Sequence, residues 1–226
     1  MQAFKGFTED TVRFLGELTS NNEKGWFDAN RARYEACWVE PAKLFVDALG
    51  AKLARIAPGL RFDAKIDGSL LRINRDIRFS KNKAPYKEHF DLWFWEGSKR
   101  AYDAPGVFFR LRPDALELGA GIYGFGSAAV VKKFRKAVVD ERAGRRLLQA
   151  GVAAERAGME IGGEARKRVP AKFDPEHPRS RWLKYLGLHA DGVTKVPKEL
   201  KSARFVDYCF EHVRAAVPLY RWLAQL

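Results

Sequence analysis

The chain has 226 residues, 46% hydrophobic and 13% aromatic, which is enough apolar material to form a core without disulfide or metal staples and excludes global disorder. Its formal net charge of +13 is uneven: positions 132–204 hold 19 Lys and Arg against 9 Asp and Glu, a net of +10, whereas residues 1–60 balance at 8 against 8. No run reaches the length of a membrane span, the first residues lack an apolar leader, and the expectation is a cytoplasmic protein with no membrane partner.

The first quarter reads as helical. Thr8 can cap a helix with Glu9 and Asp10 in its first turn, where acids suit the helix dipole, and Val12, Leu15 and Leu18 supply the apolar stripe. Asn22 can cap a second helix carrying Trp26, Phe27, Tyr34 and Trp38, and Pro41 fits the first turn of a third that Pro58-Gly59 ends. The middle changes to period two, predicting strands near 60–66, 69–76, 89–95, 106–112 and 115–121 joined by short turns, hence one largely antiparallel sheet. Helices return after Ser127, over 128–140 and 142–156, with a short one near 181–186 and a last one near 203–222 that Pro218 would kink. Helices, then sheet, then helices predict an α+β fold in one domain: 1–59 helical, 60–121 sheet, 122–226 mostly helical.

One segment concentrates the chemistry. Between positions 72 and 87 the chain carries six cations, Arg72, Arg75, Arg78, Lys81, Lys83 and Lys87, against the single acid Asp76. Alternation puts Arg72, Asn74 and Asp76 on one side of an extended chain, with Ile73 and the unexpected charge of Arg75 on the other. A charge on an apolar face requires a partner or a ligand. Arginines offer planar forks for phosphate or carboxylate and lysines add point charge, so the segment reads as an anion cradle. The ligand-binding set is Arg72, Asn74, Arg75, Arg78, Ser80, Lys81, Lys83, Tyr86 and Lys87. The plainer reading is an internal network in which Asp76 bridges Arg75 and Arg78.

The run Arg72-Ile73-Asn74-Arg75-Asp76, then Arg78-Phe79-Ser80-Lys81, Lys83, Pro85-Tyr86-Lys87 and His89, resembles the signature of an uncharacterised family, the domain of unknown function numbered 2461. The likeness extends to Phe4-x-Gly6-Phe7 and to Asn21-Asn22 with Trp26-Phe27, covering nearly the whole length. It implies one domain. The chain departs from the pattern at Glu88, where the family usually has a small or hydroxyl residue, and near Ser127, where a proline often opens the helix. The resemblance supplies no catalytic role.

Other features are read beside it. His89 could transfer a proton and should face the same side as Asp91, whereas His177, His189 and His212 lack metal spacing. Cys37 and Cys209 sit in apolar, helix-like surroundings and read as reduced thiols. The Gly-rich run 119–127 lacks the lysine of a nucleotide-binding loop, but could favour an anion if it lies at the same end of the sheet as the Arg/Lys segment. Trp93 and Trp95 share one strand face, either as a second buried layer or as a stacking platform for bases. The leading expectation is a binding domain for a phosphorylated or other anionic ligand, with no cofactor. One alternative is an enzyme on a phosphate-containing substrate, using Asp76 or His89 for proton transfer. The others are a nucleic-acid-associated protein, with 132–136 and 166–168 tracking a backbone, and a purely structural one.

Overall fold

The computed structural model describes residues 3–97, 104–163 and 165–226. The chain opens with α1 (Glu9–Ser20), preceded by Thr8 in extended conformation, whose backbone N–H donates to Thr11 Oγ1 at 3.2 Å. After α2 (Lys24–Ala29), α3 (Arg31–Tyr34) runs through a π-helical turn, Glu35–Val39, into α4 (Glu40–Ile56), with Pro41 in its first turn. A π turn loosens the local hydrogen-bond ladder. The buried Thr11 hydroxyl donates to Cys37 O at 2.7 Å within that turn. Asn22 does not cap α2. The N-cap is Glu23, and the Asn22 side chain instead grips the backbone of Tyr86, donating through Nδ2 to its carbonyl and accepting its N–H, both at 3.0 Å.

The sheet comprises β1 (Leu60–Arg61), β2 (Phe90–Glu96), β3 (Gly106–Leu111), β4 (Ala115–Ile122), β5 (Glu160–Gly162) and β6 (Leu188–Lys195), every pair antiparallel, in the order β1-β2-β3-β4-β6-β5. The three central expected strands form within a residue or two of their predicted bounds. The strand expected over 60–66 shrinks to β1, because 63–70 turns on itself: Asp63 O accepts from Lys65 and Ser69, and Asp67 adopts a left-handed φ of 62°. The strand expected over 69–76 is replaced by isolated bridges, Leu70 to Leu92 and Asn74 to Tyr86. Beyond Leu71 the backbone pairs with its own return limb rather than with the sheet, Arg75 N donating to Pro85 O and Lys87 N to Ile73 O, both at 2.8 Å. β5 and β6 come from beyond position 122, where a mostly helical segment was expected and no strand.

Alternation along the strands separates two faces. Phe90, Leu92, Phe94, Val107, Phe109, Leu116, Leu118, Ala120, Leu188 and Ala190 are buried in a core shared with the helices. Trp38 stacks on Phe90 with ring centroids 4.2 Å apart, and Phe45 meets both Phe109 and Phe205. After α5 (Ala128–Val139), capped by Ser127, and α6 (Glu141–Arg156), the C-terminal helices α7 (Phe205–Arg214) and α8 (Val217–Leu223) pack against β4, broken just before Pro218 as expected. The buried Arg179 holds the end of α5, its Nε donating to Val138 O at 2.7 Å and Nη2 to Val139 O at 3.0 Å. Among the described residues no helix is long and apolar enough to cross a membrane.

Candidate ligand-binding site on the open sheet face

The face of the sheet turned away from this core forms a grid fixed by register. Asp91, Arg110 and Glu117 make one cross-strand row; Trp93, Phe108, Gly119 and Asp191 make the next; Trp95, Gly106, Gly121 and His189 make the third. Two of the three glycines in this grid leave room for rings. The Trp93 indole lies where a Cβ at Gly106 would point, and the Phe108 ring where one at Gly119 would point. The result is a concavity of about 280 Å³ lined by Leu71, Trp93, Phe108, Gly121, Tyr123 and His189, closed at one end by Asp91, Arg110 and Glu117. Trp93 and Trp95 are buried, so they serve as a second packed layer rather than an open stacking platform.

The charged end is a chain of pairs. Asp91, with only 8% of its side chain exposed, accepts from Arg110 Nε at 2.7 Å and lies 3.2 Å from His89 Nε2 and 3.3 Å from Lys87 Nζ. Burial pushes the Asp91 carboxyl up, but His89 and Arg110 together outweigh it and hold it well below the usual carboxylate range. Arg110 is correspondingly held as a cation: burial pulls its pKa down, while Asp91 and Glu117 raise it by more. Glu117 pairs with Arg112 Nη1 at 2.8 Å and reaches Arg110 Nη1 only at 4.0 Å. Among the described residues the two terminal nitrogens of Arg110 therefore make no hydrogen bond, while its Nε fixes the guanidinium plane. At the other side of the concavity His189 Nε2 lies 3.3 Å from Asp191 Oδ1, and burial raises the Asp191 pKa above its ordinary value. Among the described residues no three His, Cys, Asp or Glu side chains gather as metal ligands would.

The expected site residues divide between two places. Lys87 and His89 reach the charged end of the sheet face, His89 on the Asp91 side as alternation predicted. Arg75, Asp76, Arg78, Ser80, Lys81 and Lys83 belong to a loop over positions 75–85, closed at its base by the Asn74–Tyr86 bridge, with Arg72 on the limb that leads into it. The Tyr86 ring is buried and stacked on Phe27 at 4.2 Å, so its part is to anchor the loop. Arg75 does not pair with Asp76: its Nη1 donates to Ala84 O at 3.2 Å and its Nη2 to Ser80 Oγ at 3.4 Å. Asp76 instead takes a bidentate grip from Arg78, with both side chains exposed, and that hydrogen bonding lowers the Asp76 pKa to about 2. Arg72, Asn74, Lys81 and Lys83 are exposed, Lys83 Nζ donating to Ile77 O at 3.0 Å. The Gly-rich run does not meet the Arg/Lys segment, because register puts Gly121 beside Gly106 and His189, at the end of the sheet opposite Phe90.

Arg110, Glu117, Phe108 and Asp191 were not singled out by sequence reasoning. The available signal was a charge at an outward slot of each of three successive strands, which needs register to become a row. A family profile described as conserved hypothetical protein (DUF2461) matches residues 10–222, and the chain belongs to that family. No curated protein matches it.

Proposed function

We propose that this member of the DUF2461 family is a binding domain for a small anionic ligand with a flat apolar body, seated in the open-face concavity with its charged group on Arg110. The observation that carries the reading is an oriented guanidinium whose two terminal nitrogens hydrogen-bond to none of the described residues, at the end of an apolar trough. A planar fork binds carboxylate or phosphate through paired N–H bonds, and Phe108 offers a ring-sized wall.

Thermal denaturation with phenyl phosphate, benzoate and the uncharged benzyl alcohol tests this. A ligand at 100 times its Kd stabilises by about 2.7 kcal/mol, which for this length raises Tm by roughly 5–10 °C. The anionic probes should do so and benzyl alcohol should not. Arg110→Lys, which keeps a cation beside Asp91 but loses the fork, should abolish the shift. Equal shifts with benzyl alcohol, or no shift with any anion, would overturn the reading.

The His89–Asp91 contact favours a second reading, proton transfer to a ligand in the same place. Asp91 holds Nε2 and leaves Nδ1 without a protein partner among the described residues, on a side chain 25% exposed. His89→Gln would then leave probe binding intact and abolish turnover of whichever bound ester proves to be a substrate. Turnover unchanged in that variant would remove His89 from the chemistry.

A further inference from the structure

The loop over 75–85 presents Phe79 to solvent at 95% exposure, and among the described residues its ring is met only by the neighbouring Arg78 guanidinium. An aromatic held out by a floppy segment would signify little, but this loop is braced from within. Arg75 crosses it to Ser80 and Ala84, Lys83 reaches Ile77 O, Ala84 N–H donates to Asn82 Oδ1 at 2.9 Å, and Ser80 N–H to Ile77 O at 3.3 Å. The base is clamped by Asn22 on Tyr86. Five polar side chains, Asn22, Arg75, Ser80, Asn82 and Lys83, thus spend hydrogen bonds on fixing the shape of a loop whose tip is an exposed phenyl ring. Around that ring the Arg78 guanidinium, paired with Asp76, lies 5.8 Å from its centroid, while Lys81 is exposed beside it and Arg72 is exposed on the adjoining limb.

We infer that this loop is a docking element for single-stranded nucleic acid, with Phe79 stacking on one base and Arg72 and Lys81 meeting the adjacent phosphates. Three features favour this occupant. A single phenyl ring flanked by Ser80, Lys81 and Asn82 offers too little apolar area to enter a bilayer, which takes an extended apolar face. Every base has a face that stacks on an aromatic ring, and a guanidinium beside that ring suits the same contact. The chain as a whole carries +13, which favours a polyanion over an acidic patch of ordinary size. This inference is independent of the ligand proposed for the sheet face, and Phe79 does not line that concavity.

Fluorescence anisotropy with labelled oligo(dT) and oligo(rU), a blunt DNA duplex, and phosphatidylserine-containing vesicles tests it on the full chain at low salt. The single strands should bind more tightly than the duplex. Phe79→Ala should weaken oligo(dT) binding about 5- to 100-fold, the range for losing one base–aromatic stack, while leaving the salt slope unchanged. Phe79→Trp should restore it. Lys81→Ala should flatten the slope of log K against log salt by about 0.7, one phosphate contact on a single strand. Phe79 and Lys81 are exposed and make no core contact, so folding should survive both changes, and unchanged far-UV circular dichroism checks that. Equal affinity for wild type and Phe79→Ala, preference for the duplex, or binding to the vesicles alone would each overturn the inference.

Discussion

Replacing Arg110 by Met would remove the 2.7 Å bond to Asp91 and leave a carboxylate with 8% side-chain exposure whose remaining partners among the described residues are Lys87 and His89, at 3.3 and 3.2 Å. Breaking a buried pair by deleting one partner commonly costs about 3–5 kcal/mol, because the other charge stays behind without its water. Two considerations lower that here. Asp91 keeps two cationic or hydrogen-bonding neighbours, and Arg110 is itself 35% exposed, so solvent already screens part of the pair. The expected loss is therefore about 2–3 kcal/mol, or roughly 4–12 °C in Tm for a chain of this length. Urea denaturation followed by circular dichroism would measure it, with m unchanged as the sign that only stability moved. The decisive comparison adds Asp91→Asn. Once the carboxylate is gone, removing Arg110 strands nothing, so the double variant should be more stable than the sum of the single losses by about 2 kcal/mol. Additive losses, or a single-variant loss below about 1 kcal/mol, would show that Asp91 is solvated by other means and that the charged end of the concavity is not the coupled row described above.

Acid should weaken the fold partly through Asp91: its folded pKa is depressed, so its stabilisation is present above the ordinary carboxylate pKa of about 4 and is lost as pH falls through the lower folded value. Asp191 runs the other way, since burial raises its pKa; the folded state is favoured below the ordinary value and loses that advantage as pH rises, so Asp191→Asn should raise stability at neutral pH and flatten the melting profile above about pH 4. A lower neutral Tm in that variant would mean that the His189 contact outweighs burial. Thr11→Val keeps the volume but deletes the donor to Cys37 O, and should cost about 1–2 kcal/mol in urea denaturation. Arg179→Met would strand the carbonyls at the end of α5 and should cost about 2–4 kcal/mol, with early loss of amide-exchange protection over that helix.

Much of the fold was legible along the chain because it rests on local rules. Period-two alternation marked β2, β3 and β4, an extended Thr8 marked the start of α1, Ser127 capped α5, and Pro218 marked the break between the last helices. β6 escaped because its inward positions after Leu188 are Ala190 and Gly192, too small to announce a buried face, and β5 is three residues long. The Arg/Lys segment was visible by its charge density and its signature, and the Asp76–Arg78 pair by its spacing, yet the partners of Arg75 were not. Arg75 turns to Ala84 and Ser80 because its own loop folds back over it, and Asp76 goes to Arg78 because the two stand exposed side by side. The residues that a sequence determines alone are those whose partners lie within a turn or two. The row of Asp91, Arg110 and Glu117 belongs to three strands, and only pairing register brings charges 19 and 7 positions apart into contact around one apolar concavity. Long-range register is set by the packing of the opposite face against the helices, so the tertiary structure alone decided where a ligand could sit.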